Sequence, residues 1–235
     1  MPIEAKDPIY REMMLYYDKK SEDFDNYWNS AMYLNTEESK LLIDERGKVD
    51  SLVKYFGKGN CIDLACGTSH WLAFYYNNCT KITFVDQSSK MLEITKKKAA
   101  GLSNYKNNCS FIRNDIFELS NINEKYESVV IGNILGHLSD QLLENLFKLV
   151  DNLLTEGGEL FITDSLIHQS LIQSGFSPNL LSVTERKVGD EIYRIYKRYF
   201  TKDFIEQILN RYGYKISLNQ FWGKYFFGLI GVKNG

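Results

Sequence analysis

The sequence predicts an α/β fold in which helices cover both faces of a mixed β-sheet. Between residues 46 and 165, short apolar segments alternate with helical segments and are joined by short connections, a pattern typical of a parallel sheet. The final third changes to paired strand-like segments around Gly189-Asp190 and Trp222-Gly223-Lys224, which indicates two hairpins. We therefore expect the parallel sheet to end in an antiparallel strand pair.

The composition is that of an ordinary folded domain. Of the 235 residues, 44% are hydrophobic and 25% are charged, and 28 Lys and Arg against 30 Asp and Glu leave a net charge of -2. A nucleic-acid binder normally carries a concentrated positive excess, so we expect no nucleic-acid partner. Apolar runs such as Phe226–Val232 are far shorter than the ~20 residues that span a bilayer, and the N-terminus is no secretory signal. The expected location is the cytoplasm, without membrane contact.

The numbers of cysteine and aromatic residues indicate which kind of ligand site to expect. The four cysteines form no C-x-x-C pair and there are three histidines, so no metal site is expected. Aromatic residues reach 14% of the chain, and many lie outside the core pattern, which indicates a ring-lined ligand pocket.

The elements follow from hydrophobic spacing and capping residues. The first 45 residues predict short helices with aromatic side chains on one side, and Val49–Phe56 predicts a helical segment that ends at Gly57. Strands are expected at Cys61–Ala65, Ile82–Val85, Ser110–Ile112, Ser128–Ile131 and Glu159–Asp164. Helices are expected at His70–Tyr76, after the capping residues Ser88 and Ser139, and at Thr201–Leu209. The hairpins pair Val183–Lys187 with Glu191–Tyr199, and Tyr214–Phe221 with Phe226–Val232.

Chemistry is expected where the parallel strands end, because ligands bind at the carboxyl ends of such sheets. After the first strand, the small residues Ala65 and Gly67 let the backbone approach a ligand closely. Asp86 follows the second strand and can accept hydrogen bonds from a ribose, while Asp115 follows the third and can accept one from adenine. Asn133 follows the fourth strand. Together these strand ends predict a site for one nucleoside-bearing ligand.

The same segments resemble the successive motifs of class I S-adenosylmethionine-dependent methyltransferases, especially the branch that methylates quinones and other metabolites. The resemblance rests on Cys61–Thr68, Ile82–Asp86, Asn114-Asp115, Tyr126–Leu138 and Gly157–Asp164, and it covers residues 45 to 165. It implies a three-layer, Rossmann-like, seven-stranded sheet with one antiparallel C-terminal strand. The segment Tyr16-Tyr17-Asp18 with Phe24-Asp25 is similar to the N-terminal element that folds over the cofactor in this branch.

The resemblance implies S-adenosylmethionine as cofactor and assigns its contacts. The cofactor-binding residues that it implies are Tyr17, Trp28, Asp63, Ala65, Gly67, Thr68, Asp86, Gln87, Met91, Asn114, Asp115, Ile116 and Asn133. The first turn departs from the family pattern, because Ser69 replaces the usual glycine and the bulky His70 follows it.

The implied reaction is in-line transfer of a methyl group to an O or N atom of a small, aromatic or partly apolar metabolite. His137 and Tyr17 are the expected catalytic residues, because a histidine can accept the proton that a hydroxyl or amine loses. Arg186, Arg194 and Arg198 are expected on a hairpin, where some can face a carboxylate-bearing substrate. Nothing in the sequence predicts the oligomeric state or the acceptor itself.

Other functions stay open. A methyltransferase fold can act on a protein or nucleic acid, or bind the cofactor without catalysis. A nicotinamide-dependent oxidoreductase is disfavoured, because its turn should hold three closely spaced glycines where this chain has Gly67. The expected division is an N-terminal helical lid (1–45), a cofactor-binding core (46–165), a substrate-side insertion (166–200) and a C-terminal helix and hairpin (201–235).

Overall fold

The computed structural model describes residues 7–29, 36–102, 108–119 and 124–234. The strands in these ranges are β1 (Asn60–Leu64), β2 (Lys81–Asp86), β3 (Cys109–Arg113), β4 (Tyr126–Gly132), β5 (Leu154–Ser165), β6 (Ser182–Val188), β7 (Glu191–Lys197), β8 (Tyr214–Trp222) and β9 (Phe226–Lys233). The helices are α1 (Pro8–Lys20), α2 (Phe24–Asn29), α3 (Thr36–Val53), α4 (Leu72–Tyr75), α5 (Ser89–Gly101), α6 (Asp140–Leu153), α7 (Gln169–Gln173) and α8 (Lys202–Arg211).

Seven strands form one sheet in the order β3-β2-β1-β4-β5-β9-β8. The pairs from β3 to β5 are parallel, and β9 runs antiparallel to both β5 and β8. Strand order reverses between β1 and β4, and this switch point is where an open α/β sheet binds ligands. The predicted seven-stranded mixed sheet is confirmed.

Alternation along the strands builds a core on each face of the sheet. In β1, Ile62 and Leu64 join the cluster that packs under α6 and α8, while Cys61 joins the cluster under α3 and α5. Successive side chains of a strand point to opposite faces, so a short apolar strand feeds both cores. The sheet therefore holds its strand-end loops on a rigid, doubly covered platform.

Side-chain caps begin three helices where the sequence predicts them. Ser88 accepts a hydrogen bond from the backbone N–H of Met91, and Ser139 accepts one from Leu142. Thr201 does the same for α8 through Phe204. Each cap satisfies an otherwise unpaired N–H of the first turn, which fixes where the chain leaves a loop.

Three element bounds differ from the predictions. Helix α3 begins at Thr36, far earlier than the apolar spacing indicates, because its buried face includes the polar residues Glu45 and Arg46. The Glu45 carboxylate accepts hydrogen bonds from the backbone N–H groups of residues 224–226 in the β8–β9 turn. Helix α4 is a single turn, and β5 begins at Leu154 with irregular pairing to β4 before Glu159.

The β6–β7 hairpin forms a second, two-stranded sheet. Met13 and Tyr16 of α1 pack against Tyr193 and Ile195 of β7 in a cluster separate from the two main cores. Ion pairs link Glu12 to Arg194 and Lys19 to Glu191 on the outside of this packing. We call α1 together with β6 and β7 the cover, because it lies over the carboxyl ends of the main sheet.

Candidate active site

The turn after β1 opens toward the cover. Ala65, Gly67 and Ser69 all have positive φ angles, of 51°, 55° and 47°. L-residues rarely adopt this left-handed conformation, so the turn is tightly constrained. A Cβ placed on Gly67 would meet nothing within 4 Å, which shows that this glycine borders open space. Ser69 takes the glycine-like conformation that the family pattern implies for its position.

Asp86, at the end of β2, joins two strand-end loops. One carboxylate oxygen accepts a hydrogen bond of 2.8 Å from the N–H of Gly67, and the other accepts one of 2.8 Å from the N–H of Ser88. Burial raises the pKa of Asp86, although these backbone hydrogen bonds oppose the shift. The carboxylate remains half-buried at the cavity wall, where its further lone pairs can accept hydrogen bonds.

The ends of β3 and β4 supply the next part of the wall. Asp115 caps the following 3-10 turn by accepting a hydrogen bond from Phe117, and Ile116 is 6% exposed. Asn133 has a φ angle of 57°, and its N–H donates to the carbonyl oxygen of Thr163 in β5. These residues hold a carboxylate, an apolar side chain and an amide along one rim.

A cavity of about 820 Å³ lies between this rim and the cover. Its size falls within the roughly 300–1,000 Å³ of small-molecule and cofactor sites. The predicted site residues that line it are Tyr17, Ala65, Gly67, Thr68, Asp86, Gln87, Met91, Asn114, Asp115, Ile116, Asn133 and His137. The fold thus brings residues from α1 and four strand ends to one cavity.

Comparisons with known proteins show what this fold is. Residues 61–158 match the family model described as a methyltransferase domain. This stretch of the chain is similar to a methyltransferase domain. It contains four of the five segments on which the resemblance rests and the first two residues of the fifth, and the match confirms that resemblance. Comparison with curated protein sequences found no match.

Several solved structures share the fold of most of this chain. A DhpI–SAM–HEP complex is 18% identical, aligns over 94% of this chain and 97% of that chain, and gives a TM-score of 0.73. An S-adenosylmethionine-dependent methyltransferase from Clostridium acetobutylicum ATCC 824 is 16% identical over 91% and 99%, with a TM-score of 0.62. The glycopeptide N-methyltransferase MtfA, in complex with S-adenosyl-L-homocysteine, is 14% identical over 79% and 89%, with a TM-score of 0.55. At these identities the likeness is one of fold.

One predicted cofactor residue, Asp63, is placed differently from the others that the structure describes. Of the predicted cofactor residues whose side chains the structure describes, Asp63 alone does not line the cavity. It is 4% exposed and lies behind the cavity wall, where its Oδ2 accepts hydrogen bonds from Ser69 and Tyr75. Burial raises the pKa of Asp63 to about 7. Asp63 therefore braces the turn from behind. The side chain of Trp28 lies outside the described residues, as does that of Tyr27.

Tyr17 and His137 form a hydrogen-bonded pair in the wall of the cavity. The Tyr17 hydroxyl lies 2.7 Å from Nε2 of His137, and Nδ1 of His137 lies 2.6 Å from the carbonyl oxygen of Tyr196. Because a carbonyl oxygen only accepts, Nδ1 carries the proton, Nε2 is the acceptor, and the Tyr17 hydroxyl donates. Burial lowers the pKa of His137 to about 4, and the nearby charge of Lys197 adds to the shift.

Acidic residues of the N-terminal segment anchor it to the rim. Asp18 accepts a hydrogen bond of 2.8 Å from the Ser88 hydroxyl. Asp25 accepts one of 2.6 Å from the Thr68 hydroxyl and forms an ion pair of 2.6 Å with Lys98. These contacts attach α1 and α2 to the loops after β1 and β2.

Several residues of the site escape prediction from the sequence. Trp71 packs so closely on Gly132 that a Cβ there would lie 2.2 Å from its ring, and Asp50 accepts a hydrogen bond from the Trp71 indole. His70 also lies against Asp50, at 3.2 Å, rather than projecting alone into the turn. Trp71 follows no strand-end pattern, so no sequence signal marks it. Lys98 belongs to a lysine run at the end of α5 that resembles an ordinary exposed face.

Two kinds of feature are missing from the part of the chain that the structure describes. The described residues hold no group of three or more His, Cys, Asp or Glu side chains placed to bind a metal ion. None of the helices in these ranges combines the length and the apolar character that crossing a membrane requires.

Proposed function

We propose that this protein is an S-adenosylmethionine-dependent methyltransferase that methylates an O or N atom of a small, aromatic or partly apolar metabolite. The observation that carries the proposal is the single cavity that gathers four strand ends and the Tyr17–His137 pair. The match to a methyltransferase domain and the cofactor-bound neighbours support it. In this proposal residues 46–165 bind the cofactor, 1–45 and 166–200 cover the site, and 201–235 complete the sheet.

The residues present fit the cofactor. The bare backbone at Gly67 leaves room for a ligand to approach the turn closely. Asp86 offers carboxylate lone pairs for ribose hydroxyls, and Asp115 with Ile116 offers an acceptor and an apolar surface for adenine. Ala65, Thr68 and Asn133 would lie along the methionine and sulfonium part. The order of these groups along the rim matches the order of parts in the ligand.

The protein's contribution to catalysis is placement and exclusion of water. When bound, the cofactor supplies a methyl group already activated by its sulfonium. The rim and the cover hold the acceptor in line with that group, and such placement contributes about 7–11 kcal/mol to the reduction of the barrier. The rings of Tyr17 and Phe24 line the cavity and restrict water there.

The Tyr17–His137 pair offers a route for the acceptor's proton. His137 is neutral at physiological pH, since burial lowers its pKa to about 4. Its Nε2 already accepts the Tyr17 proton, so the phenolic oxygen of Tyr17 is the group that can accept a hydrogen bond from an acceptor hydroxyl or amine. As that proton moves to Tyr17, the phenolic proton moves to His137. The buried carboxylate of Asp164 favours the charged imidazole that results.

A macromolecular acceptor is less well supported. The acceptor side of the cavity lies beneath α1 and the β6–β7 hairpin, which suits a small molecule better than a protein or nucleic-acid strand. Loss of turnover with intact cofactor binding would instead favour the non-catalytic alternative.

Cofactor binding tests the proposal. In isothermal titration calorimetry we expect S-adenosylmethionine to bind with a micromolar dissociation constant, about 10⁻⁶ M. Asp86→Ala should abolish binding, because it removes the ribose acceptor and releases the Gly67 and Ser88 amides. Asp190→Ala, on the exposed β6–β7 turn, is the matched control and should bind normally. Binding of NADH without binding of S-adenosylmethionine would refute the proposal.

A further inference from the structure

Two cationic side chains project from the cover into the acceptor side of the cavity. Arg186 of β6 and Lys197 of β7 both line it, and both contribute positive charge at His137. Arg11 and Arg46 add two more cations to the cavity wall. The lining acids are Asp18, Asp86, Asp115 and Glu118, which lie at the end of α1 and at the ends of β2 and β3. Lys20 and Arg113 lie at the same element ends as these acids, whereas Arg186 and Lys197 belong to the hairpin, whose lining residues include no acid.

Lys197 forms an ion pair with the buried carboxylate of Asp164, but the contacts of its ammonium group are long. Its Nζ lies 3.5 Å from Oδ1 of Asp164 and 3.5 Å from the Ser165 hydroxyl. Charge-assisted hydrogen bonds are normally about 2.7–2.9 Å long, so both contacts are loose. The Asp164 carboxylate instead accepts shorter hydrogen bonds from the N–H groups of Gly136, at 2.9 Å, and Ser165, at 2.7 Å. The Lys197 side chain is 12% exposed, and its ammonium group keeps donor capacity for a ligand.

The guanidinium group of Arg186 also keeps donor capacity for a ligand. Its Nη1 donates to the Thr184 hydroxyl at 3.0 Å and to the carbonyl oxygen of Glu185 at 3.1 Å. Among the described residues no acceptor lies within hydrogen-bond distance of its Nε or Nη2. A guanidinium with an unused edge is suited to bind a planar or tetrahedral oxyanion with two hydrogen bonds.

Resting on the proposed function, we infer that the methyl acceptor carries an oxyanion, either a carboxylate or a phosphoryl group, which Lys197 and Arg186 bind beneath the β6–β7 hairpin next to His137. The two cations come from paired strands, with Ser182 opposite Lys197 and Arg186 opposite Tyr193, so they lie four residues apart along one face of the hairpin. Both side chains reach the cavity. Tyr199, whose ring lies 5.3 Å from Nζ of Lys197, provides an apolar surface for the body of the acceptor.

An anion bound at this position would also change His137. The positive groups that act on the imidazole are Lys197 and Arg186, the negative group is Asp164, and the hydrogen-bond partners are Tyr17 and the carbonyl of Tyr196. An oxyanion that offsets the two cations would raise the pKa of His137 and make it a better proton acceptor. Binding of the correct acceptor would then increase the basicity of the pair that deprotonates it.

Model anions test the inference without knowledge of the true acceptor. Protein with and without saturating S-adenosyl-L-homocysteine is titrated with benzoate, phenylphosphonate and the neutral benzyl alcohol, with calorimetry as the readout. We expect one of the two anions to bind about tenfold or more tightly than benzyl alcohol. The preferred anion tells a carboxylate acceptor from a phosphoryl one. In ¹³C-edited NMR spectra the same anion should move the titration of the His137 ring to higher pH.

Charge-removing variants locate the site. Lys197→Gln and Arg186→Gln should each weaken binding of the preferred anion about tenfold and leave S-adenosyl-L-homocysteine affinity unchanged. Lys187→Gln, on the exposed face of the same strand as Arg186, is the matched control and should bind the anion normally. If Lys197→Gln fails to fold because Asp164 loses its cation, Arg186→Gln still decides the question.

The outcomes separate this inference from the proposed function. Equal affinity for benzoate, phenylphosphonate and benzyl alcohol, or anion binding that neither variant weakens, overturns the oxyanion site even when the cofactor binds. Failure to bind S-adenosylmethionine or S-adenosyl-L-homocysteine overturns the proposed function, whatever the anions do.

Discussion

Asp63 lies in β1 with its carboxylate behind the cavity wall, where it receives hydrogen bonds from Ser69 and Tyr75. Burial raises its pKa from 3.8 to about 7, and the neighbouring charge of Asp86 acts in the same direction. A carboxyl group whose pKa is higher in the folded state binds its proton more tightly there than in the unfolded chain. Its protonation therefore stabilises the fold at low pH.

The sign of this effect gives a stability prediction. The contribution is fully present below the unfolded pKa near 4, falls as the pH rises, and is lost once the pH passes the folded value of about 7. The slope is at most about 1.4 kcal/mol per pH unit. Asp63→Asn cannot titrate, so the unfolding free energy of the wild-type protein should fall relative to the variant by about 2.5 kcal/mol between pH 5 and pH 8. Urea denaturation at several pH values measures this difference.

The comparison isolates Asp63. His137 has the opposite sign, since its lowered pKa removes stability as the pH falls from about 6.5 to 4, but it is present in both proteins and cancels. Tyr75→Phe removes a hydrogen bond that favours the charged carboxylate of Asp63. The pKa of Asp63 should therefore rise further, and the unfolding free energy should keep falling to a higher pH before it becomes constant. Parallel stability curves for wild type and Asp63→Asn would show that Asp63 does not titrate in this range.

The Tyr17 hydroxyl gives a second residue-scale prediction. Tyr17→Phe keeps the ring in the cavity but removes the hydroxyl that donates to His137, which is the group that we propose accepts the proton of the methyl acceptor. We expect kcat to fall about 10²–10⁴-fold, the usual contribution of general acid–base catalysis. The affinity for S-adenosylmethionine should change little, because the ring remains.

Turnover is measured with labelled methyl donor and the acceptor found by mass spectrometry of treated metabolite extracts. Tyr193→Phe is the matched control, since it removes a tyrosine hydroxyl elsewhere in the cover, where that group contacts Glu191. An unchanged kcat in Tyr17→Phe would mean that the acceptor loses its proton by another route.

Residues at strand ends could be placed from the sequence because topology alone brings those positions together. Gly67, Asp86, Asp115 and Asn133 come from different strands but share one edge of a parallel sheet. The orientation of Asp63 could not be predicted in this way, because it depends on the single-residue alternation within β1 and on hydroxyl donors six and twelve residues later.

At the scale of elements, prediction succeeded where one local signal dominates. Helix α6 carries a capping serine and a continuous apolar face, and β6–β7 carries a Gly-Asp turn between alternating strands, and both form as expected. Helix α3 was underestimated because the partners of its buried Glu45 are backbone N–H groups about 180 residues further along the chain. The spacing of apolar residues in a helix does not predict hydrogen bonds to backbone groups so far along the chain.

The short helices α4 and α7 also could not be predicted accurately from local sequence signals. Helix α4 is a single turn because Trp71 precedes it and a 3-10 turn follows from Tyr76 to Asn78. The five-residue helix α7 has a cap without a side-chain hydrogen bond and no buried residue, so neither capping nor periodicity marks it in the sequence. Tertiary placement, rather than local preference, sets the ends of these elements.

The whole molecule consists of a doubly covered sheet and a cover that meets it across the cavity. The cover has its own small cluster of Met13, Tyr16, Tyr193 and Ile195, and it contacts the rim largely through polar links such as Tyr17–His137 and Asp18–Ser88. Small apolar clusters joined to the rest of a protein by a few polar links open at lower free energy than a central sheet. A ligand that contacts both the rim and the cover would hold them together.

Hydrogen exchange measured by mass spectrometry tests this picture. Without ligand, amides of α1 and of β6–β7 should exchange together and faster than those of β1 and β4. S-adenosyl-L-homocysteine should slow exchange in α1 and leave β4 unchanged. In Asp25→Ala, which loses the contacts with Thr68 and Lys98, exchange of α1 and α2 in the bound state should be about tenfold faster than in the wild type. Asp23→Ala, an exposed acid of the same segment, is the control and should resemble the wild type. Protection of α1 equal to that of β4 before ligand is added would show that cover and sheet open as one unit, and the cofactor would then have to enter past a closed α1.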